Sequence, residues 1–396
     1  MKTLFSYALA VCGALAMLAG CSGGSGSPSS ALGSTGLNAA QAVAHSRGQQ
    51  HNGFMGLRAF TPHPDHHKSW RSPELKTNVS GNQLWISDFA LGDVDVFSLP
   101  SLTPMGTVTG FDGPQGMCSD TSGDVWVTST YTYQVLEYNH SAVQTNALTV
   151  PNEGWPVGCA WDKSTGNLAV TIIENDHGNT AGEIWVYPGG TGTPTAYTDP
   201  DPNVFSYFSA GYDGKGNLYF DAENYEFALT TVGRLAKNAN AASSIAIGGG
   251  TIYSGGAVQW IPNGGGAGHP FLMVGDTECS GTYLPETSCV DYVTLSGAGR
   301  LTGTIAGTTN LDNSQGVAAC YVGQAVRSGA KLYGADYESP PIYSSGEEFE
   351  SCTSQYPAST PDTWTYPAGG LPLRTGTAFS SYSIPEGSAI SKVSRQ

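Results

Sequence analysis

The 396-residue chain carries 32 acidic against 16 basic side chains, a formal net charge of −16, and 53 glycines, with only 12% charged residues. Such a surface excludes nucleic acid as a partner, because strands of phosphate are held by cationic faces that release counterions. Length alone suggests about two domains, but closed β architectures routinely hold more chain in one.

In chain order, Met1 and Lys2 give a positive start, and an apolar run follows from Leu4 to Leu18. It is short for a membrane span and ends at small residues, the pattern of an export signal over 1–20. Its end, Leu18-Ala19-Gly20-Cys21, resembles the bacterial lipobox. The resemblance implies cleavage before Cys21, acylation of that cysteine and a membrane as partner. It implies an extracytoplasmic, lipid-anchored place in the cell envelope. Because Ser22 follows and not aspartate, that place is the outer membrane in a Gram-negative owner.

Residues 21–80 read as a flexible tether, opening with Gly/Ser-rich linker composition. The cluster His63-Pro64-Asp65-His66-His67 has metal-ligand residue types, but its proline blocks a shared helical face, so it reads as spacer.

From residue 81 to 396 one pattern recurs. The clearest copies are Pro114-Gln115-Gly116-Met117-Cys118, Pro156-Val157-Gly158-Cys159-Ala160 and Phe208-Ser209-Ala210-Gly211. Weaker ones begin at Ser254, Ser314 and Pro385. Behind each clear copy stands a glycine turn and a second strand, at Gly123–Thr128, Gly166–Thr171 and Gly216–Asp221, and then a third. Four strands per copy is a propeller blade. Gly81–Asp88 matches a second strand with nothing before it, and Ile384–Lys392 a first strand with nothing after it. The expected fold is therefore all-β, a six-bladed β-propeller closed by strands from both ends.

Six cysteines follow Cys21. Cys279 and Cys289 flank a loop, Cys320 and Cys352 lie in one repeat, and Cys118 and Cys159 take nearly matching places in neighbouring repeats. Three bridges fit an exported chain, although spacing leaves the connectivity open and buried thiols are the alternative.

The series Pro114-x-Gly116…Asp120-x-x-Gly123-Asp124-Val125-Trp126-Val127 resembles the NHL repeat, and the domain is similar to six-bladed NHL and gluconolactonase-like propellers. Hydrolases, lyases and binding scaffolds share that repeat, so the resemblance implies a fold before it implies a chemistry.

By analogy with such propellers, the ligand face is the end formed by the loops after second strands and before first strands. Its expected residues are Tyr131, Tyr133, Glu174, Asp176, Asp221, Glu223, Tyr225, Asp336 and Tyr337. Carboxylates with amide oxygens suit calcium or another divalent metal, and acid interleaved with aromatics suits a sugar-like, cationic or protein ligand. The plain alternative is that these are turn residues. Pro385-Glu386-Gly387 resembles part of the Glu-Gly-Pro context in which gluconolactonase-like enzymes place a metal-ligating glutamate, with Ser388 in place of the proline. Glu386 with Asn313 and Asp112 is the metal candidate. No Gly-x-Ser-x-Gly elbow, phosphate loop or zinc spacing appears, and Asp176-His177 carries no triad geometry. The leading expectation is a non-catalytic binding or interaction module without a required cofactor. The alternative is a metal-dependent lactonase or related hydrolase.

Overall fold

A computed structural model describes residues 70–76, 80–176, 178, 180–224, 229–262, 270–277, 279, 288–297, 300–316, 319, 321–337, 359–380 and 383–393. Cys21, Tyr225, Cys320, Cys352 and the histidines of the tether lie outside the described residues.

Six antiparallel sheets form the blades of a β-propeller. Blade 1 runs from the inside as Pro385–Ser391, Gln83–Asp88, Asp93–Ser98, Thr103–Thr109 and Trp70–Arg71. Its two inner strands come from opposite ends of the domain, with Leu84 opposite Ile390 and Ile86 opposite Ser388. Blade 2 holds Pro114–Ser119, Val125–Ser129, Gln134–Tyr138 and Gln144–Thr149. Blade 3 holds Pro156–Trp161, Leu168–Ile172, Ile184–Tyr187 and Thr195–Tyr197. Blade 4 holds Val204–Tyr212, Leu218–Asn224, Leu229–Leu235 and Ser243–Ser244. Blade 5 holds Gly255–Ile261, Phe271–Asp276, Cys289–Ser296 and Thr302–Asn310, with Ala246–Gly248 added in parallel at its outer edge. Blade 6 holds Val326–Ser328, Lys331–Asp336, Thr360–Thr365 and Arg374–Thr375.

The second strands are buried on both faces, because each blade is covered by its two neighbours. This is why Val125-Trp126-Val127 and Leu168-Ala169-Val170 run apolar without alternation. The core accordingly lies between blades. Trp85 of blade 1 packs with Val127 and Tyr138 of blade 2, and Trp126 with Cys159 and Val170 of blade 3. Each such side chain taken wholly from water contributes about 1.5–3 kcal/mol.

The turns between first and second strands reuse one device. Asp120 Oδ1 accepts the Ser122 and Asp124 N–H groups at 2.8 and 2.9 Å, and Asp213 Oδ1 accepts those of Lys215 and Asn217 at the same distances. A carboxylate placed at the head of the turn satisfies backbone donors that the hairpin leaves over.

Two expectations need correction. Trp70–Arg71 pairs with Val108 and Thr109 and Leu75 is buried, so the fold reaches back into the stretch read as tether. The copy read at Ser314-Gln315-Gly316 is not the inner segment of blade 6. Those residues form a turn in which Asn313 Oδ1 accepts the Gln315 N–H, and the inner place belongs to Val322-Gly323-Gln324.

Candidate functional site: the inner ring and its buried acids

The innermost strands touch backbone to backbone. A Cβ at Gly116 would lie 2.3 Å from the Val157 carbonyl oxygen, at Gly158 2.1 Å from that of Phe208, at Gly256 2.4 Å from that of Gly323, and at Gly387 2.1 Å from that of Gln115. Only glycine permits this approach, and it shrinks the tunnel to a cavity of about 10 Å³, room for one water. Gly116, Gly158, Ser209, Gly256, Gly323, Gln324 and Glu386 stand around it.

Glu386 is 5% exposed and accepts a hydrogen bond from the Tyr321 hydroxyl at 3.0 Å on Oε2. Burial pushes its carboxyl up to about 8, with the charge of Asp88 adding to the rise and the Tyr321 bond opposing it. No cation contributes to its surroundings among the described residues. Its neighbour around the ring is Gln115, whose Nε2 donates to Thr130 Oγ1 at 3.1 Å while its buried Oε1 has no partner among the described residues. Gln324 closes the ring on the other side. Its Oε1 accepts the Met117 and Ser388 N–H groups and its Nε2 donates to the Met117 carbonyl, which ties blades 1, 2 and 6 together.

The ring positions just before the close-packed residue are Gln115, Val157, Phe208, Gly255, Val322 and Glu386. Gln315 is not among them, because Ser314-Gln315-Gly316 is a turn. Asn313 is buried in its own turn, and Asp112 holds Tyr131 N–H through its carbonyl oxygen at the start of blade 2.

Above the ring an apolar cluster covers the tunnel. Phe89, Val157, Ile173, Tyr321, Tyr337 and Ile384 form its buried part, and Tyr131, Trp155 and Phe208 pack on it. Of the expected face residues, Tyr131 and Tyr337 therefore meet in this cluster. Tyr131 lies 5.9 Å from Phe89 and 6.1 Å from Trp155, and Tyr337 crosses Tyr321 edge-on. Burial raises the Tyr131 phenol, as it does that of Tyr133 at the rim. Glu174 belongs to a separate two-stranded ribbon with Thr180–Ala181, and Asp176 is exposed beyond it. Glu223 is half-buried opposite Thr230, and Asp336 is buried opposite Thr360.

Asp221 lies deeper than a rim residue. Pairing of Ile86 with Ser388, Val127 with Met117, Val170 with Cys159 and Phe220 with Ala210 makes Ser87, Thr128, Thr171 and Asp221 equivalent. Three blades thus carry a hydroxyl where blade 4 carries a carboxyl. Asp221 Oδ1 accepts the Ser209 N–H, and Oδ2 is buried without a partner among the described residues. Desolvation raises this carboxyl to about 7 against the bonds that oppose it. The equivalence was not readable from the sequence, because it depends on bulges in the first strands.

Two groups of described residues have the spacing to hold a divalent ion, Asp276 with Cys279 and Cys289, and Asp120 with Asp124 and Glu137. In the first, the two sulfurs are joined to each other, and Cys118 is likewise joined to Cys159. Both bridges match expected pairs. The second lies at the opposite end of blade 2, where Asp120 already serves its turn.

No protein-family model matches the chain, and no curated protein matches it in sequence. Solved structures are similar in fold. The nidogen/laminin complex has a chain with 12% identity and a TM-score of 0.52, covering 79% of this chain and 99% of its own. A streptogramin B lyase shares 11% identity over 83% of this chain and 88% of its own, with a TM-score of 0.46. The calcium-binding protein regucalcin from Agrobacterium tumefaciens shares 12% identity over 70% of this chain and 77% of its own, with a TM-score of 0.43. At 12% identity the likeness to the nidogen/laminin chain shows the fold alone.

The expectation of a non-catalytic module is corrected by the site itself. Acidic groups stand at metal-ligand spacing in two other parts of the propeller, and burial raises the Glu386 carboxyl at the ring cavity and the Asp221 carboxyl on the second strand of blade 4. A buried carboxyl of this kind costs stability, and one set at a cavity points to chemistry more than to a passive scaffold.

Proposed function

We propose that the chain is a metal-dependent hydrolase of the gluconolactonase-like kind, acting on a lactone or related ester at the end of the tunnel where Glu386 stands. The observation that carries this reading is the buried Glu386 carboxyl, facing a cavity without any cation beside it, next to the orphaned Gln115 Oε1. Both are oxygen donors of the kind a hard divalent ion takes. Glu386 and Gln115 would hold it, while Asn313 and Asp112, the other sequence candidates, serve turns outside the ring. When bound, a divalent ion polarises an ester carbonyl and lowers the pKa of a coordinated water.

The chain's own groups have separate tasks. The Tyr321 hydroxyl fixes Glu386 Oε2 and so sets the carboxyl plane. Trp155, Phe208 and Tyr321 supply an apolar wall that excludes water from the reacting end. Gln324 binds blade edges together and holds the ring to a fixed width.

The test joins metal analysis of the purified chain to turnover on a panel of lactones with calcium, zinc or manganese. The expected outcome is about one ion per chain and hydrolysis that a chelator abolishes. Glu386→Gln should lose both, with turnover down by about a hundredfold or more. A chain that binds no ion and opens no lactone refutes the proposal.

A further inference from the structure

A groove separates the outer edges of blades 4 and 5, remote from the inner ring. Residues 243–248 run from one edge to the other. Ser243–Ser244 pairs with blade 4 and Ala246–Gly248 pairs in parallel with Thr302–Thr304 of blade 5. This crossing leaves two adjoining cavities of about 330 and 510 Å³ that share Asp201, Ser244, Ile245 and Arg300. They are far roomier than the tunnel cavity.

The chemistry of the lining is unusual for so acidic a chain. Arg300 is exposed at the mouth, and Arg234 stands in the wall of the larger cavity. The Arg234 guanidinium meets the Tyr219 side chain, and its buried Nε–H has no acceptor among the described residues. An unsatisfied buried guanidinium donor destabilises the fold unless something outside the fold completes it. A carboxylate is the group whose two oxygens match the Nε/Nη fork.

The acids of the groove narrow the ligand further. Asp199 is spoken for, since its Oδ2 accepts the Ser244 hydroxyl at 2.8 Å and its Oδ1 the Asp201 N–H at 3.0 Å. Asp201 keeps one oxygen on its own turn through the Asn203 N–H and is otherwise exposed to the groove. Two carboxylates balance two guanidiniums, so a bare anion gains little net attraction. A ligand that offers one carboxylate to the arginines and hydroxyls to Asp201 and the serines gains from both. Ile245, which lines both cavities, and Leu301 in the larger one give an apolar surface for a ring face.

We propose that this groove binds an acidic sugar of the uronate class, independently of the tunnel site. Calorimetric titration of the purified full-length chain with glucuronate, glucose and acetate at low salt tests it. Glucuronate should saturate one site per chain and bind at least about tenfold more tightly than glucose or acetate. Arg300→Gln should weaken glucuronate about tenfold with the melting temperature unchanged, because Arg300 is exposed. Arg234→Lys should weaken it as much, because an ammonium cannot replace the fork. No saturation by glucuronate up to roughly 50 mM, equal binding of acetate, or undiminished binding in Arg300→Gln would each overturn the assignment.

Discussion

Asp221 shows how one side chain can set a pH dependence. Its carboxyl is neutral up to about pH 7 in the fold but ionises near 3.8 in the unfolded chain. The folded state therefore holds one more proton than the unfolded state between those values. Stability from this group is full below about pH 4, falls as pH rises, and is lost by the time pH passes 7. Asp221→Asn keeps the Oδ1 acceptor for the Ser209 N–H and removes the titration. Thermal melts from pH 4 to 8 should show the wild type losing stability steadily and the variant losing less. The gap at pH 8 should be on the order of a few kcal/mol in favour of the variant. Parallel profiles would refute the assignment. The sequence reads Asp221 as the end of a second strand, whereas it lies within Leu218–Asn224. It does not show that the residue lies inward, because the fact that decides it is the register against Ala210 across a bulge.

At the scale of the strand, the ring glycines set the spacing of the blades. Gly158→Ala would drive a methyl to 2.1 Å from the Phe208 carbonyl oxygen and 2.6 Å from Thr171 Oγ1, with backbone on one side that cannot yield. The expected cost is about 1–3 kcal/mol, or more if the two blades part. Gly214→Ala is the matched control, since a Cβ there meets nothing within 4 Å. Its change should stay within about 0.5 kcal/mol. Denaturant unfolding of both variants measures the contrast, and an equal effect at the two positions would show that the ring is not close-packed. The same glycines made most of the repeat legible from residue types alone. They failed at blade 6, where Gly316 mimics the pattern in a turn while Gly323 occupies the ring. Gly316 has a left-handed φ of +77° and meets only the Leu371 side chain, so it is there for turn geometry. A short Gly-centred motif cannot distinguish these two uses of glycine, and the copy read at Ser314-Gln315-Gly316 falls on a turn for that reason.

For the whole molecule, closure is the property on which the tunnel depends. The joint between first and last strands was legible because each end of the sequence supplied half of a blade. No disulfide among the described residues spans it, since Cys118–Cys159 joins blades 2 and 3 and Cys279–Cys289 stays within blade 5. The ring is held shut by the ladder from Gln83↔Ser391 to Asp88↔Pro385, by Ser87 accepting the Gly387 N–H, and by the Asp88 carboxylate accepting the Ile384 N–H. Deleting residues 385–396 would uncover Leu84, Trp85 and Ile86, now fully buried, and leave Gln83–Asp88 as an open edge. An exposed apolar edge recruits another strand or unfolds. The truncated chain should therefore melt far below the full chain or elute as an oligomer, and a synthetic peptide spanning 383–396 should restore the monomer by refilling the vacant strand. Size exclusion with thermal melts reads both results. A truncated chain that stays monomeric and melts within a few degrees of the full one would mean that five complete sheets hold the ring without the sixth, and that Glu386 is carried by a strand the fold does not need.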